Sequence, residues 1–331
     1  MCSTMSKLSQ KTLKSFSLQG SRNCLAFDEF VNWVLYDDQI GYYQSSKKRV
    51  GKTSQNDFYT SSSLGKIWGE LIIDSCIKLL EEKKPTDFTF VEIGAEPDTS
   101  ILEGLKHPFK DHQILRLGDQ LNIPNNAVVF SNEWLDAQPF KRFKYSAKES
   151  RWKELFVMTK NSQLIMLEKN AQGLPASSFP ETAPDGYLID WPSGSIESLN
   201  KLISQSRWCG VFLTFDYGLN KHTLLNDRPE GTARAYKNQL MSTDLLKSPG
   251  DQDLTCHLCW DSLEECLQLA GFKNIKLSRQ ESFLMSNATK QIRKLFDRGN
   301  QLLDHRMLAL RELLHPAHLG HGMQALSAVR L

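Results

Sequence analysis

The chain has 331 residues, enough to bury a large core in one domain or in one domain that carries an insertion. At 40% hydrophobic and 24% charged it reads as a globular protein, neither disordered nor fibrous. A formal net charge of +2 gives no global field for nucleic acid, and no apolar run reaches the ~20 residues that span a bilayer.

The seven cysteines (Cys2, Cys24, Cys76, Cys209, Cys256, Cys259 and Cys266) are odd in number and scattered. They form no disulfide framework, so a reducing compartment is expected, and the cytoplasm first. The first 27 residues hold Lys7, Lys11, Lys14 and Arg22 and no acid. They fit an amphipathic helix with Leu8, Leu13 and Phe16 on one side. They also fit a mitochondrial presequence, although such leaders favour Arg over Lys. A mitochondrial location is the alternative.

In chain order, Phe27 to Leu35 predicts a helix, with Phe27, Phe30, Val31 and Val34 at helical spacing. A loop from Gln44 to Asn56 precedes a second helix from about Leu64 to Glu82. Phe88 to Ile93 reads as a buried strand running into Gly94, and a helix is expected over Thr99 to Leu105. Ile114–Leu117 and Ala127–Phe130 are the next strands. From Phe143 to about Glu168 the pattern becomes antiparallel, and a Pro- and Ser-rich linker spans Gly173 to Pro184. A helix over Ile196–Ile203 and a strand over Gly210–Phe215 restore the βα rhythm. Leu254–Leu258 is a strand, Trp260–Ala270 a helix stopped at Gly271, and Asn274–Leu284 a last strand region before terminal helices.

Strands alternating with helices predict an α/β fold, with a mainly parallel sheet covered on both faces. The expected division is an N-terminal helical region over 1–84, a Rossmann-like core over 85–285 with an insertion at about 140–185, and a C-terminal helical region over 286–331. Ligands bind such sheets at the C-terminal ends of the strands. Polar residues follow three apolar runs there: Glu92 to Asp98, Asn132 to Asp136, and Asp216 to Gly218. Any one of these could simply cap a helix or form a turn. Three together point to a pocket.

Several collinear stretches resemble the MidA family, bacterial and mitochondrial S-adenosylmethionine-dependent methyltransferases whose mitochondrial members assist assembly of respiratory complex I. They are Tyr36-Asp37-Asp38-Gln39-Ile40-Gly41-Tyr42-Tyr43, Asp57-Phe58-Tyr59-Thr60-Ser61 and Val91-Glu92-Ile93-Gly94. Further on come Ser131-Asn132-Glu133-Trp134-Leu135-Asp136-Ala137-Gln138-Pro139, Asp216-Tyr217-Gly218, Gly231-Thr232-Ala233-Arg234-Ala235-Tyr236 and Pro249-Gly250-Asp251-Gln252-Asp253-Leu254-Thr255. The resemblance implies a class I methyltransferase fold that binds S-adenosyl-L-methionine and methylates an arginine or similar nitrogen of a partner protein. On it, Thr60, Ser61, Glu92, Gly94, Asp98 and Asp119 would border the cofactor. Asn132, Glu133, Asp136, Asp216 and Tyr217 would surround the reacting centre, and Arg234, Asp253 and His257 the acceptor.

The chain departs from the family at the loop after the first core strand. Where the family resembles Glu-Leu-Gly-Pro-Gly-x-Gly, this chain reads Glu92-Ile93-Gly94-Ala95-Glu96-Pro97-Asp98. Two acidic side chains are therefore expected in the tightest part of the pocket, where glycine would leave room for a ligand. Asp119 is the acid nearest the place where such sheets bind ribose, and a surface turn is the competing reading. Only ten residues separate Leu117 from Val128, so the second crossover is expected to be shortened.

Two metal-like patterns carry little weight. Cys256 and Cys259 on a strand would face opposite sides, and His315, His318 and His321 surround Pro316 and Gly320. No metal is expected. The rival to an enzyme is a binding or assembly protein that keeps the fold without the cofactor. A nucleotide enzyme ranks last, because acids in the loop would repel a phosphate.

Overall fold

The computed structural model describes residues 8–19, 23–45, 64–175, 179–204, 207–297, 305–315 and 322–331. Thr60 and Ser61, with the rest of the 57–61 motif, lie outside the described residues, as do Cys2, Lys7, Arg22, His318 and His321.

The N-terminal part is built on aromatic packing. Helix α1 (Gln10–Gln19) sets Phe16 edge-on to Trp33, centroids 5.0 Å apart, and Ser15 accepts the Trp33 indole N–H at 2.9 Å. A short strand β1 (Cys24–Ala26) leads into α2 (Phe27–Tyr36), whose Glu29 carboxylate accepts the Ala26 N–H at 2.8 Å. That bond satisfies a donor just ahead of the first turn, where helices leave N–H groups free. Helix α3 (Lys66–Leu79) follows.

The next three strands are β2 (Thr89–Ile93), β3 (Asp111–Leu115) and β4 (Asn126–Asn132). Then β5 (Lys141–Ser146), β6 (Arg151–Lys160), β7 (Gln163–Asn170) and β8 (Leu188–Trp191) pair antiparallel with one another and with β1. Helix α4 (Ser193–Ser204) and strand β9 (Cys209–Asp216) return to the main body. After β10 (Gly218–Leu219) and α5 (Lys221–Asn226), a small antiparallel sheet forms from β11 (Arg234–Lys237), β12 (Leu240–Ser242) and β13 (Asp253–Thr255). The chain ends with β14 (Leu258–Cys259), α6 (Trp260–Leu269), β15 (Lys273–Arg279), α7 (Gln280–Asn287), α8 (Thr289–Asp297), α9 (His305–Leu314) and β16 (Gln324–Arg330).

The central sheet runs in the order β15-β16-β9-β4-β2-β3. Its strands β3, β2, β4 and β9 are parallel, whereas β16 runs antiparallel to both neighbours. Alternation along each strand feeds two cores. Phe90, Val128, Leu213 and Phe215 pack with Trp68 and Leu71 of α3, Phe283 of α7, Leu295 of α8 and Leu310 of α9. Val91, Val129 and Phe212 pack on the other side with Leu199 of α4 and Leu263 of α6. Each such fully buried side chain contributes about 1.5–3 kcal/mol. The fold is therefore a mixed α/β layer. No helix among the described residues is long and apolar enough to cross a membrane.

Five expectations are corrected. Thr99 to Leu105 holds turns over 101–104 and no helix. The Glu92 carboxylate accepts the Ile101 N–H at 3.0 Å and the Ser100 hydroxyl at 2.8 Å, and Gly104 takes φ +65. A left-handed residue ends a turn rather than propagating a helix. The segment also lies tight on α3, where a Cβ on Gly69 would fall 2.2 Å from the Ile101 carbonyl oxygen. The second strand is Asp111–Leu115, so Leu117 stands in the following turn. Leu254–Leu258 breaks at residues 256–257 into β13 and β14, and Asn274–Leu284 changes from β15 to α7 at Gln280. The C-terminal region is not helical throughout, because β16 enters the central sheet and its Leu326 and Ala328 are buried there.

Candidate functional site

Strands β2, β4 and β9 are adjacent and parallel, so the residues leaving their C-terminal ends converge. Gly94 follows β2 at φ +75 and is exposed, and its N–H donates to the Leu115 carbonyl at 2.9 Å. A Cβ on Gly94 would stand 3.1 Å from Cδ1 and 3.3 Å from Cβ of Trp134, which leaves the end of β4. Glycine at 94 thus serves both a left-handed backbone and the close approach of an indole. Asp98 is exposed and itself left-handed, at φ +59. The side chain nearest a Cβ on Gly94 is Trp134 rather than either of the two acids, Glu96 and Asp98, expected to crowd the bend.

Glu92 is buried and turned away from the bend. Its carboxylate holds Ser100 and Ile101 and lies 3.4 Å from Nε2 of His112. Asp119 is exposed, and its carboxylate accepts the Arg116 N–H at 2.8 Å, which is the turn reading of that residue. The position directly after β3 belongs to Arg116, whose guanidinium donates to the Thr99 carbonyl at 2.8 Å.

A carboxylate cluster lies beyond the ends of β4 and β9. Asp216 is buried, and its Oδ2 accepts the N–H groups of Leu135 at 3.1 Å and Asp136 at 3.3 Å. Its Oδ1 accepts the Tyr217 N–H at 2.9 Å. Asp136 accepts the Thr255 hydroxyl at 3.2 Å, which ties the turn to β13. Glu133 sits at φ +51, with its N–H on the Phe215 carbonyl, and its Oε1 accepts the Asn132 amide at 3.0 Å. The side-chain Oδ1 of Asn132 is buried without a hydrogen-bond partner.

Burial pushes the Glu133 carboxyl up to about 8, aided by the charges of Asp136, Asp253 and Glu96 and opposed by Asn132. Burial likewise raises Asp136 to about 6, against the Thr255 hydroxyl and local backbone N–H groups. Asp216 is raised by burial and by Asp136. Around them stand Tyr36, Tyr43 and Tyr217, all raised by burial and then by these carboxylates, and Tyr236. Tyr36 and Tyr43 stack with centroids 5.4 Å apart, and the Tyr36 hydroxyl donates to the Ala137 carbonyl at 2.6 Å. Across the small sheet Tyr236 registers with Asp253. A cluster of buried carboxyl groups bordered by tyrosines suits a cation with an alkyl or aromatic body.

The structure thus brings together Asn132, Glu133, Asp136, Asp216, Tyr217 and Asp253, with Gly94 beside them. It sets Arg234 and His257 in a second group. There the buried carboxylate of Asp190 accepts the N–H groups of Thr232 at 2.7 Å and Ala233 at 2.8 Å, and it pairs with Arg142 at 3.1 Å. The Arg234 guanidinium donates to the Ala233 carbonyl at 2.7 Å. His257 donates its backbone N–H to the Thr232 hydroxyl at 3.2 Å, and its ring Nδ1 is buried without a hydrogen-bond partner. Burial and the cations of Arg228 and Arg234 draw its ring down to about 4. Trp134, Tyr36, Tyr43, Tyr236 and Asp190 escaped selection as site residues. Their aromatic or acidic character is legible, but their convergence comes from pairing distant in sequence.

A family model of S-adenosyl-L-methionine-dependent methyltransferases matches residues 80–277. Among solved structures, the fold is similar to a COG1565 superfamily member from Burkholderia thailandensis bound to S-adenosyl-homocysteine. The TM-score is 0.81 at 18% identity, covering 99% of this chain and 95% of that one. A native COG1565 superfamily structure from the same organism gives a TM-score of 0.78 at 17% identity, over 99% and 95% of the two chains. The family match spans well over half of the sequence and contains Gly94, Trp134 and the whole carboxylate cluster, so the chain belongs to this family of S-adenosyl-L-methionine-dependent methyltransferases.

Proposed function

We propose that this protein methylates a cationic nitrogen, an arginine guanidinium or a similar group, on a partner protein, as a MidA-type enzyme with a class I methyltransferase core. The observation that carries the reading is the cluster of Glu133, Asp136 and Asp253 with Tyr36, Tyr43 and Tyr236, close to the strand ends and Gly94. The residues fit the cofactor on two counts. Gly94 leaves an exposed main-chain bend beside the Trp134 indole, and the nearby acidic groups are carboxyls, which favour a sulfonium and an α-ammonium over a phosphate. S-adenosylmethionine, when bound, supplies an electrophilic methyl group on sulfur.

The chain's own part is to align and to exclude water, which for an in-line displacement supplies much of the rate. In this reading Gly94 and Asn132 border the cofactor, Asp136 and Asp253 hold the acceptor cation, and Glu133, which gives up its own proton when a cationic ligand binds, takes up the proton that the nitrogen loses. Asp216 acts indirectly, by fixing the turn that carries Asp136. The reading treats residues 85–285 as the catalytic body and the antiparallel strands as its insertion. Free Cys24, Cys76, Cys209, Cys256, Cys259 and Cys266 suit a reducing setting, so the cytoplasm is the proposed location.

Calorimetric titration of the full chain with S-adenosylhomocysteine, followed by methyl transfer from labelled S-adenosylmethionine to arginine- and lysine-containing peptides, tests the proposal. Saturable binding and label on one of these side chains are expected. Absence of both heat and thermal stabilisation at millimolar ligand would return the chain to the role of a non-catalytic assembly protein.

A further inference from the structure

We infer that Trp134 distinguishes the methyl-bearing cofactor from its demethylated product, its indole lying against the sulfonium centre; this rests on the methyltransferase reading above. Strands β2 and β4 are direct neighbours, with Ile93 in register with Ser131, so Gly94 and the segment starting at Asn132 leave the sheet side by side. The three atoms nearest to a Cβ built on Gly94 all belong to Trp134: Cδ1 at 3.1 Å, Cβ at 3.3 Å and Cγ at 3.4 Å. The indole is therefore the side chain packed closest to the Cβ direction of Gly94, beside the exposed backbone at which a ligand could lie. The remainder of Trp134 is anchored. It packs against the core that contains Val91 and Ile93, and its carbonyl accepts the Gln138 amide at 2.8 Å.

S-adenosylmethionine and S-adenosylhomocysteine share every group except the methyl on sulfur and the positive charge that goes with it. Hydrogen bonds to adenine, ribose or the amino-acid end therefore cancel in the ratio of their affinities. What remains is the environment of the sulfur. The nearest carboxyl group in sequence, Glu133, is held largely protonated at neutral pH by burial, so its charge is an incomplete counterpart for a fixed cation. An aromatic face attracts a cation without titrating, and tryptophan does so most strongly. Such a contact changes affinity by roughly two-fold at an exposed site and roughly thirty-fold at a desolvated one.

The test uses the full chain and isothermal titration calorimetry with three probes: S-adenosylmethionine, S-adenosylhomocysteine and sinefungin, which carries an amine in place of the sulfonium. In Trp134→Leu the affinity ratio of S-adenosylmethionine to S-adenosylhomocysteine should fall by roughly two- to thirty-fold relative to wild type. Sinefungin should follow S-adenosylmethionine, and S-adenosylhomocysteine itself should change little. If Trp134→Leu does not fold, Trp134→Phe carries the test, because its weaker ring should lower the ratio by a smaller factor. An unchanged ratio in whichever variant folds, with both ligands weakened alike or neither weakened, overturns the inference and leaves Trp134 as a packing wall. Wild-type protein that binds none of the three overturns the methyltransferase reading and this inference together.

Discussion

Asp216 reaches back from the end of β9 to hold the turn that presents Asp136, its Oδ2 accepting the Asp136 N–H at 3.3 Å and that of Leu135 at 3.1 Å. A buried carboxyl group in such a cluster suggests chemistry, yet this one is spent on the main chain, while Asp136 accepts the Thr255 hydroxyl.

Replacing Asp216 by Ala leaves the N–H groups of Leu135, Asp136 and Tyr217 without their acceptor in a buried site. The expected loss is about 3 kcal/mol of stability, and Asp216→Asn, which keeps one carbonyl oxygen, should lose about 1 kcal/mol. Urea unfolding midpoints check both values.

Gly94→Ala should destabilise the protein by about 1–2 kcal/mol, through a left-handed backbone and contact with Trp134. Combining it with Trp134→Ala relieves the contact and leaves the backbone strain. A double-mutant cycle of unfolding free energies should therefore show coupling smaller than the whole Gly94→Ala effect.

The Glu133 carboxyl is raised from 4.5 to about 8 on folding, so the folded state binds its proton more tightly than the unfolded state does. Stability should then fall as pH climbs between those values and level off above them, a slope that Glu133→Gln flattens. A cationic ligand favours the ionised form. Its binding at pH 7 should release a proton, seen as a dependence of calorimetric heat on buffer ionisation enthalpy, and Glu133→Gln should abolish most of that dependence.

Asp190 joins β8 to the 231–234 loop and neutralises Arg142 of β5. Asp190→Ala strands a buried guanidinium and should cost about 3–5 kcal/mol, whereas Arg142→Met with Asp190→Leu should cost less than either single change. Denaturant unfolding of the four proteins decides it. Gly231→Ala should resemble Asp190→Ala, because a Cβ there would fall 2.2 Å from the Asp190 carboxylate.

The strands that carry the site were legible because parallel strands buried on both faces leave continuous apolar runs, as in Phe90-Val91 and Val211-Phe212-Leu213. The polar residues after those runs marked the pocket. Direction was not legible: Glu92 and Asp216 stand where acids were expected, yet both turn their carboxylates to backbone N–H groups. Thr99 to Leu105 has local helical character, but the Glu92 carboxylate and the bare surface of Gly69 draw it into turns, contacts that periodicity does not reveal. Trp134 is visible in its motif, while its meeting with Gly94 depends on β2 and β4 being neighbours. Arg116, at the end of β3, emerged only when that strand was found two residues earlier than expected.

Strand β16 carries one more implication, for the order of events on the ribosome. Asp216 and the rest of β9 find their antiparallel neighbour in Gln324–Arg330, more than a hundred residues downstream. During synthesis β9 therefore emerges with one edge uncovered and stays so until that distant segment is made, while β15 has nothing to join it to the sheet. The nascent chain must shield an open, sticky margin for most of its second half, a stage at which a holding chaperone would matter more to yield than the final stability does.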